Sequence, residues 1–252
     1  MKVKYVVPLG IALLLSAAWA QAQTVYSVNV VGFQKIQVPP GGFAFSATPF
    51  TQDTNKINTV VGEQGTDLAD PNPDAIYTWN GTSYAKSQRF PVVGSPLDGL
   101  WVDSSLAALA TNDIPPGAGF IYKNGSQTET QEIVVVGEVI ADAQTTVDIP
   151  SGLWMVSYNY SSEIELNNST LAGATAQATG NDEIFAFNKD TQSYEKFTFL
   201  GVVGVPALDN QWVDAGFAPT NFAFEPGSCV FYRNNNAGFV WTEDLPYDLS
   251  SP

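Results

Sequence analysis

The chain has 252 residues, of which 25 are acidic and 10 are basic, and its formal net charge at pH 7 is −15. Such an acidic balance argues against nucleic acid and anionic membrane surfaces as partners. The sequence contains no histidine and one cysteine, which excludes Ser-His-Asp and Cys-His catalysis, nearly all catalytic zinc sites and an internal disulfide.

Residues 1–22 have the pattern of an export signal. Two lysines form a basic start, residues 6–18 are mostly apolar, and two Ala-x-Ala cleavage sites follow. The apolar run is shorter than the roughly 20 residues of a membrane span. We therefore expect cleavage before Gln21 or Gln23, no membrane contact afterwards, and a mature protein that is secreted, periplasmic or on the cell surface.

Short runs of β-branched and aromatic residues, bounded by Gly, Pro, Asn or Asp, predict strands in the first half of the mature chain. These runs are residues 28–31, 43–45, 76–79, 120–122 and 133–136. Asn80-Gly81 tolerates the positive φ angles of a type I′ turn. The segment before this turn is therefore predicted to fold back on residues 82–86 as a hairpin.

The second half has the same character. Its predicted strands are residues 153–156, 184–187, 197–199, 230–232 and 239–241. Few segments have the 3.6-residue period of a helix. The alanine-rich residues 169–178 are the exception, since they fit either one or two helical turns or a loop.

Sequence motifs of the first half return in the second half in the same order. Trp101-Val102-Asp103 returns as Trp212-Val213-Asp214, a shift of 111 residues. Changes of offset fall in turn-rich stretches, because a slip within a strand would turn its buried face outward. We therefore predict an all-β protein with two tandem sandwich-like lobes, residues 24–139 and 140–246, from an internal duplication of about 110 residues, and a tail of residues 247–252.

Four segments carry a resemblance. Residues 27–33 read SVNVVGF, residues 38–43 VPPGGF, residues 76–84 IYTWNGTSY and residues 115–120 PPGAGF. In this order they resemble a large paralogous family of exported β-repeat proteins from verrucomicrobia and related bacteria, over most of the mature chain. The resemblance implies export and a β-rich repeat. It carries over no catalytic residue, because the family is functionally uncharacterised.

Carboxylates are the one catalytic option that remains. Each half has one at the same place in the repeat, Asp103 in the first and Asp214 in the second. The fold of a repeated unit explains this better than catalysis does. Trp101 and Trp212 are predicted to fill two cores, and the aspartate after each is predicted to accept hydrogen bonds from turn amides. We therefore predict a protein that is not an enzyme and that has no catalytic or cofactor-binding residue.

Two kinds of ligand remain open. Asp67, Asp70 and Asp74 lie close together in sequence, and oxygen-rich loops of exported proteins suit calcium, although the spacing matches no complete calcium loop. Solvated turn residues are the alternative. Trp79 and Tyr84 are candidates for a sugar-stacking surface, although their strand positions favour burial.

These observations favour an exported, non-enzymatic protein that acts by surface contact or self-association in the cell envelope or outside the cell. The alternative is a protein that resembles a carbohydrate-binding module. Exposed aromatic rings on one face would favour the sugar, whereas an apolar edge strand near the mature N-terminus would favour assembly, because free edges recruit strands. Cys229 is predicted to be a small buried apolar residue, with an intermolecular disulfide or a nucleophile as alternatives.

Overall fold

The computed structural model describes residues 30–248 as an all-β protein built from antiparallel sheets. The predicted signal peptide lies outside the described residues, as do residues 28 and 29 of the first predicted strand and residues 249–252 of the tail. Within residues 30–248, no helix is long and apolar enough to cross a membrane.

Residues 31–139, here called the first lobe, form two sheets of their own. The order is β1-β8-β3 in the three-stranded sheet and β2-β7-β4-β5-β6 in the five-stranded sheet, with a short helix α1 beside them. The elements are β1 (Val31–Val38), β2 (Phe43–Ala47), β3 (Phe50–Thr51), α1 (Ile57–Val60), β4 (Ala75–Trp79), β5 (Tyr84–Arg89), β6 (Trp101–Asp103), β7 (Gly119–Lys123) and β8 (Gln131–Val139).

Residues 144–244, the second lobe, form a five-stranded sheet of order β10-β16-β12-β13-β14 and the strand pairs β9-β17 and β11-β15. This five-stranded order has the same connectivity as the one in the first lobe. The elements are β9 (Gln144–Ile149), β10 (Gly152–Ser157), β11 (Ile164–Glu165), a 3₁₀ helix (Leu166–Asn168), α2 (Ala174–Thr179), β12 (Glu183–Asn188), β13 (Ser193–Leu200), β14 (Gln211–Val213), β15 (Ala223–Phe224), β16 (Cys229–Asn234) and β17 (Phe239–Asp244).

A short helix in each lobe holds an asparagine against the backbone of the core tryptophan. Asn58 on α1 accepts a hydrogen bond from the Trp101 amide at 2.7 Å and donates one to its carbonyl at 2.9 Å. Asn167 does the same for Trp212 at 2.7 and 3.1 Å. The two indoles are 0% and 2% exposed, which confirms that both residues lie in a core.

The second strand in the order of each five-stranded sheet, β7 or β16, is apolar on both faces. Phe120 and Tyr122 of β7 pack into the core of the first lobe, whereas Ile121 packs into a separate cluster with Phe231 of β16. A strand covered on both sides reads as a continuous apolar run instead of an alternating one. The two five-stranded sheets therefore pack against each other, and the outer sheets, β1-β8-β3 in the first lobe and β9-β17 in the second, cover their other faces.

The contact between the lobes is reciprocal. The Ala47 amide donates to the Gly227 carbonyl at 2.8 Å, and the Ser157 amide donates to the Gly117 carbonyl at 3.0 Å. Both glycines have positive φ, +86° at Gly117 and +69° at Gly227, a conformation in which a side chain would be strained. Equivalent backbone groups therefore exchange hydrogen bonds as in an isologous dimer.

The predicted hairpin is confirmed, but its turn type is wrong. β4 pairs with β5 from Ile76 to Trp79, and the turn closes through a hydrogen bond from the Asn80 amide to the Ser83 carbonyl at 3.2 Å. Its central residues are thus Gly81 and Thr82, and only Gly81 has positive φ, at +91°. A type I′ turn needs positive φ at both central residues, so this turn is not of that type.

Candidate functional site

β1 presents an open strand edge. Val134 lies opposite Lys35 in the β1–β8 ladder, yet its amide and carbonyl each bind the Gln64 side chain at 2.7 Å, on the far side of β8. Opposite residues of an antiparallel ladder point their backbone groups both toward or both away from each other. Lys35, and by alternation Phe33 and Gln37, therefore point their backbone groups away from β8. Among the described strands, β8 alone pairs with β1.

An apolar patch adjoins this edge at the N-terminal half of β1. Val31 is 65% exposed, Phe33 69% and Val136 47%. Phe33 and Val136 are directly opposite each other in the ladder, so their side chains share the outer face of the sheet. We call these three residues the apolar patch. An exposed apolar group beside an open edge is a typical strand-recruiting surface.

A groove adjoins the C-terminal half of the same edge. Its volume is about 530 Å³, and it lies between residues 34–37 of β1, residues 44–46 of β2, and residues 186–190 and 225–229 of the second lobe. The two lysines in its walls are each paired with a carboxylate, Lys35 with Glu132 at 3.0 Å and Lys189 with Asp190 at 2.9 Å. The groove therefore offers mixed polar and apolar walls without an unpaired lysine.

Cys229 lies between the lobes, in the position where the first lobe has Gly119. The residue is 4% exposed, and burial raises the pKa of its thiol well above the usual range. A Cβ placed on Gly119 would be 2.6 Å from the sulfur, so the contact between the lobes has room for one side chain at this pair of positions. The prediction of a small buried residue is confirmed, and a buried thiol of raised pKa is a poor nucleophile.

The two repeated carboxylates lie in turns. Asp103 accepts hydrogen bonds from the Ser105 hydroxyl at 2.6 Å and the Ser105 amide at 3.0 Å, and the hydroxyl bond is the main cause of its lowered pKa. Asp214 accepts bonds from the amides of Gly216 and Ala218 at 2.8 and 3.0 Å. These bonds confirm the predicted turn role, and a lowered pKa makes Asp103 a poor general acid.

The three calcium candidates do not share one site. Asp67 is half-buried and Asp70 is exposed, and each accepts a hydrogen bond from an amide two residues later, at 2.9 and 2.8 Å. Asp74 is fully buried and binds the Tyr122 hydroxyl at 2.7 Å. Within residues 30–248, no group of three or more His, Cys, Asp or Glu residues could hold a metal ion.

The two sugar candidates are neighbours, but they form no flat platform. The rings of Trp79 and Tyr84 are 4.7 Å apart and inclined at 58°. Trp79 is half-buried, donates from Nε1 to the Leu153 carbonyl at 2.7 Å, and packs against Phe231 of the second lobe. Trp79 therefore belongs to the contact between the lobes, whereas Tyr84 remains 48% exposed.

Sequence reasoning named an apolar edge strand near the mature N-terminus as the feature that would favour assembly, but it identified neither the residues of the apolar patch nor the groove. A signal for the patch is present in β1: the apolar residues are odd-numbered at Val31 and Phe33 and even-numbered at Ile36 and Val38. That break in the period of two indicates that the strand changes its apolar face midway. No comparable signal marks the groove, because its walls come from both lobes. Comparison with protein-family models, curated proteins and solved structures gave no match.

Proposed function

We propose that this chain is an exported, non-enzymatic β-repeat protein that acts by surface contact, and that it associates with other copies of itself through the apolar patch and the adjoining open edge of β1. The observation that carries the proposal is the exposure of Val31, Phe33 and Val136 beside unpaired backbone groups. Two such edges can pair across a two-fold axis and cover both patches.

Duplication of one unit of about 110 residues is part of this proposal. The equal strand orders of the two five-stranded sheets support it, as do the matching contacts of Asn58 and Asn167 with the core tryptophans. The reciprocal bonds between the lobes support it further, since a unit that once paired with its own copy would keep such bonds after fusion. A chain of this origin already contains one isologous contact.

Self-association is tested by sedimentation velocity of residues 23–252 over a range of concentrations. We expect a reversible dimer or larger assembly in the parent protein. Phe33→Glu should raise its dissociation constant at least about tenfold, because the substitution removes a central apolar contact and adds a charge to a strongly acidic chain. The midpoint of thermal unfolding should change little, since the side chain at this position is mostly in solvent.

Phe217→Glu is the matched control. Phe217 is 68% exposed, nearly the same as Phe33, but follows β14, far along the chain from the patch. The control variant should associate like the parent. Equal effects of the two substitutions, or a parent protein that stays monomeric at every concentration, would contradict the proposed surface. A glycan array on the parent protein then tests the carbohydrate alternative, for which exposed Tyr84 is the remaining support.

Export is tested on the protein in its native cells. The basic start and the apolar residues 6–18 support cleavage before Gln21 or Gln23. Intact-mass spectrometry of the periplasmic, surface and medium fractions should find a chain that begins at one of these two residues. Recovery from those fractions of protein that still contains Lys2 would contradict this part of the proposal.

A further inference from the structure

The groove beside β1 has a counterpart in the second lobe that the chain fills itself. Ala44 of β2 lies opposite Tyr122, and Trp154 of β10 lies opposite Tyr232. The two tyrosines are equivalent, because each donates its hydroxyl to a buried aspartate of its own lobe. Ala44 and Trp154 therefore occupy corresponding positions, one with a methyl group and the other with an indole.

The indole of Trp154 fills the space between β10 and the β4–β5 turn of the first lobe. It lies so close to Gly81 that a Cβ on that glycine would be 2.7 Å from the indole Cη2. The indole Nε1 donates to the Ser151 carbonyl at 3.2 Å. Glycine at this position of the turn therefore leaves room for the indole.

The corresponding place beside Ala44 has neither the indole nor the glycine. Asn80 and Asn188 each accept bonds from the amides two and three residues later, so Lys189 corresponds to Gly81 in the β12–β13 turn. Ala44 and Lys189 both line the groove of about 530 Å³. This volume lies within the usual range of small-ligand sites, and it exceeds what one aromatic side chain needs.

The groove also has a wall that can pair with a peptide backbone. Residues 34–37 of β1 line it, and within this stretch Lys35 and Gln37 point their amides and carbonyls away from β8. An extended segment that adds to this edge would satisfy those groups with main-chain hydrogen bonds, and alternate side chains would then point to one face.

We propose that this groove binds an extended peptide segment of a partner protein. The backbone of this segment pairs with β1, and a tryptophan side chain of the segment enters the part of the groove that corresponds to the space filled by Trp154 in the second lobe. The inference goes beyond self-association. The peptide would contact the C-terminal half of β1 and the inner side of the strand, whereas the apolar patch lies on the N-terminal half and the outer face. Phe33→Glu should therefore weaken association at least about tenfold and leave peptide binding intact.

The test is a calorimetric titration of the mature chain with the peptide acetyl-Thr-Val-Thr-Trp-Thr-Val-Thr-amide. The matched control has alanine in place of tryptophan, and a second control has N-methylated amides on the edge that would face β1. We expect one site per chain for the tryptophan peptide and binding at least about tenfold weaker for both controls. Equal binding of the tryptophan and alanine peptides by the parent protein overturns the proposal.

Two exchanges between the lobes make the test specific. Ala44→Trp should fill the groove from within and weaken binding at least about tenfold, at an unchanged circular dichroism spectrum. Trp154→Ala should open the counterpart and raise the number of sites from one to two. If Ala44→Trp does not fold, the peptide controls and Trp154→Ala decide. An unchanged number of sites in Trp154→Ala overturns the assignment of an aromatic ligand.

Discussion

Replacing Trp101 or Trp212 by alanine is expected to lower the free energy of unfolding by about 3 to 5 kcal/mol, the range for large buried aromatic side chains. Both indoles are almost fully buried. Each also meets the edge of the tyrosine that binds the buried aspartate of its lobe, with ring centroids 6.2 Å apart for Trp101–Tyr122 and 5.8 Å apart for Trp212–Tyr232. Truncation therefore leaves a cavity and removes aromatic contacts as well.

Trp101 allows a finer test, because its Nε1 donates to the Gly62 carbonyl at 2.8 Å. Trp101→Phe should keep most of the packing and lose that bond, so we expect a loss smaller than for alanine. Urea unfolding followed by circular dichroism measures all three variants. Val93→Ala is the control, since Val93 is 90% exposed, and its effect should stay within about 0.5 kcal/mol. Tryptophan variants as stable as this control would contradict the assignment of these residues to the cores.

The strands were predictable where local chemistry decides them. Runs of β-branched and aromatic residues between turn formers indicated strands such as β4, β7 and β16, and each was confirmed within its observed bounds. The alanine-rich residues 169–178 allowed either a short helix or a loop, and α2 starts at Ala174. The predicted type of the turn at Asn80 was wrong because Asn80 pairs with Ser83. The two central residues are therefore Gly81 and Thr82 instead of Asn80 and Gly81.

The arrangement of the lobes was not predictable in this way. Ile121 and Phe231 lie in two of the predicted strands, but their sequence does not indicate that they pack into a cluster between the lobes. Which face of a strand meets its own outer sheet and which meets the other lobe depends on contacts far apart in sequence. The same holds for the groove, since the significance of Ala44 appears only when the strand registers place it opposite Tyr122, as Trp154 lies opposite Tyr232 in the second lobe.

Asp74 shows most clearly how a polar residue can be misjudged from sequence. It lies four residues after Asp70 and looks like another turn carboxylate, but it is fully buried. Its Oδ1 accepts the Gly125 amide at 2.7 Å, and its Oδ2 accepts the Thr66 amide at 2.8 Å and the Tyr122 hydroxyl at 2.7 Å. Asp182 has a similar role, with the Tyr232 hydroxyl and the Asn235 amide as donors.

We expect Asp74→Ala to lower the free energy of unfolding by more than about 3 kcal/mol, because each orphaned buried donor costs about 1 to 3 kcal/mol and three donors lose their acceptor. Asp182→Ala should have an effect of the same order for the same reason. Asp67→Ala and Asp70→Ala are the controls, since each removes one bond to an exposed turn amide. Their effects should be much smaller in urea unfolding of the same mature chain.

The same four variants decide between a structural role and calcium binding. A cation at Asp74 would have to compete with the hydrogen bonds that both carboxylate oxygens already accept. Asp67 and Asp70 accept hydrogen bonds from different backbone amides, those of Ala69 and Asn72. We therefore expect the loss caused by Asp74→Ala to be equal in EDTA and in millimolar calcium. A melting temperature that calcium raises in the parent and in Asp182→Ala, but in none of the other three variants, would instead establish a calcium site formed by these aspartates.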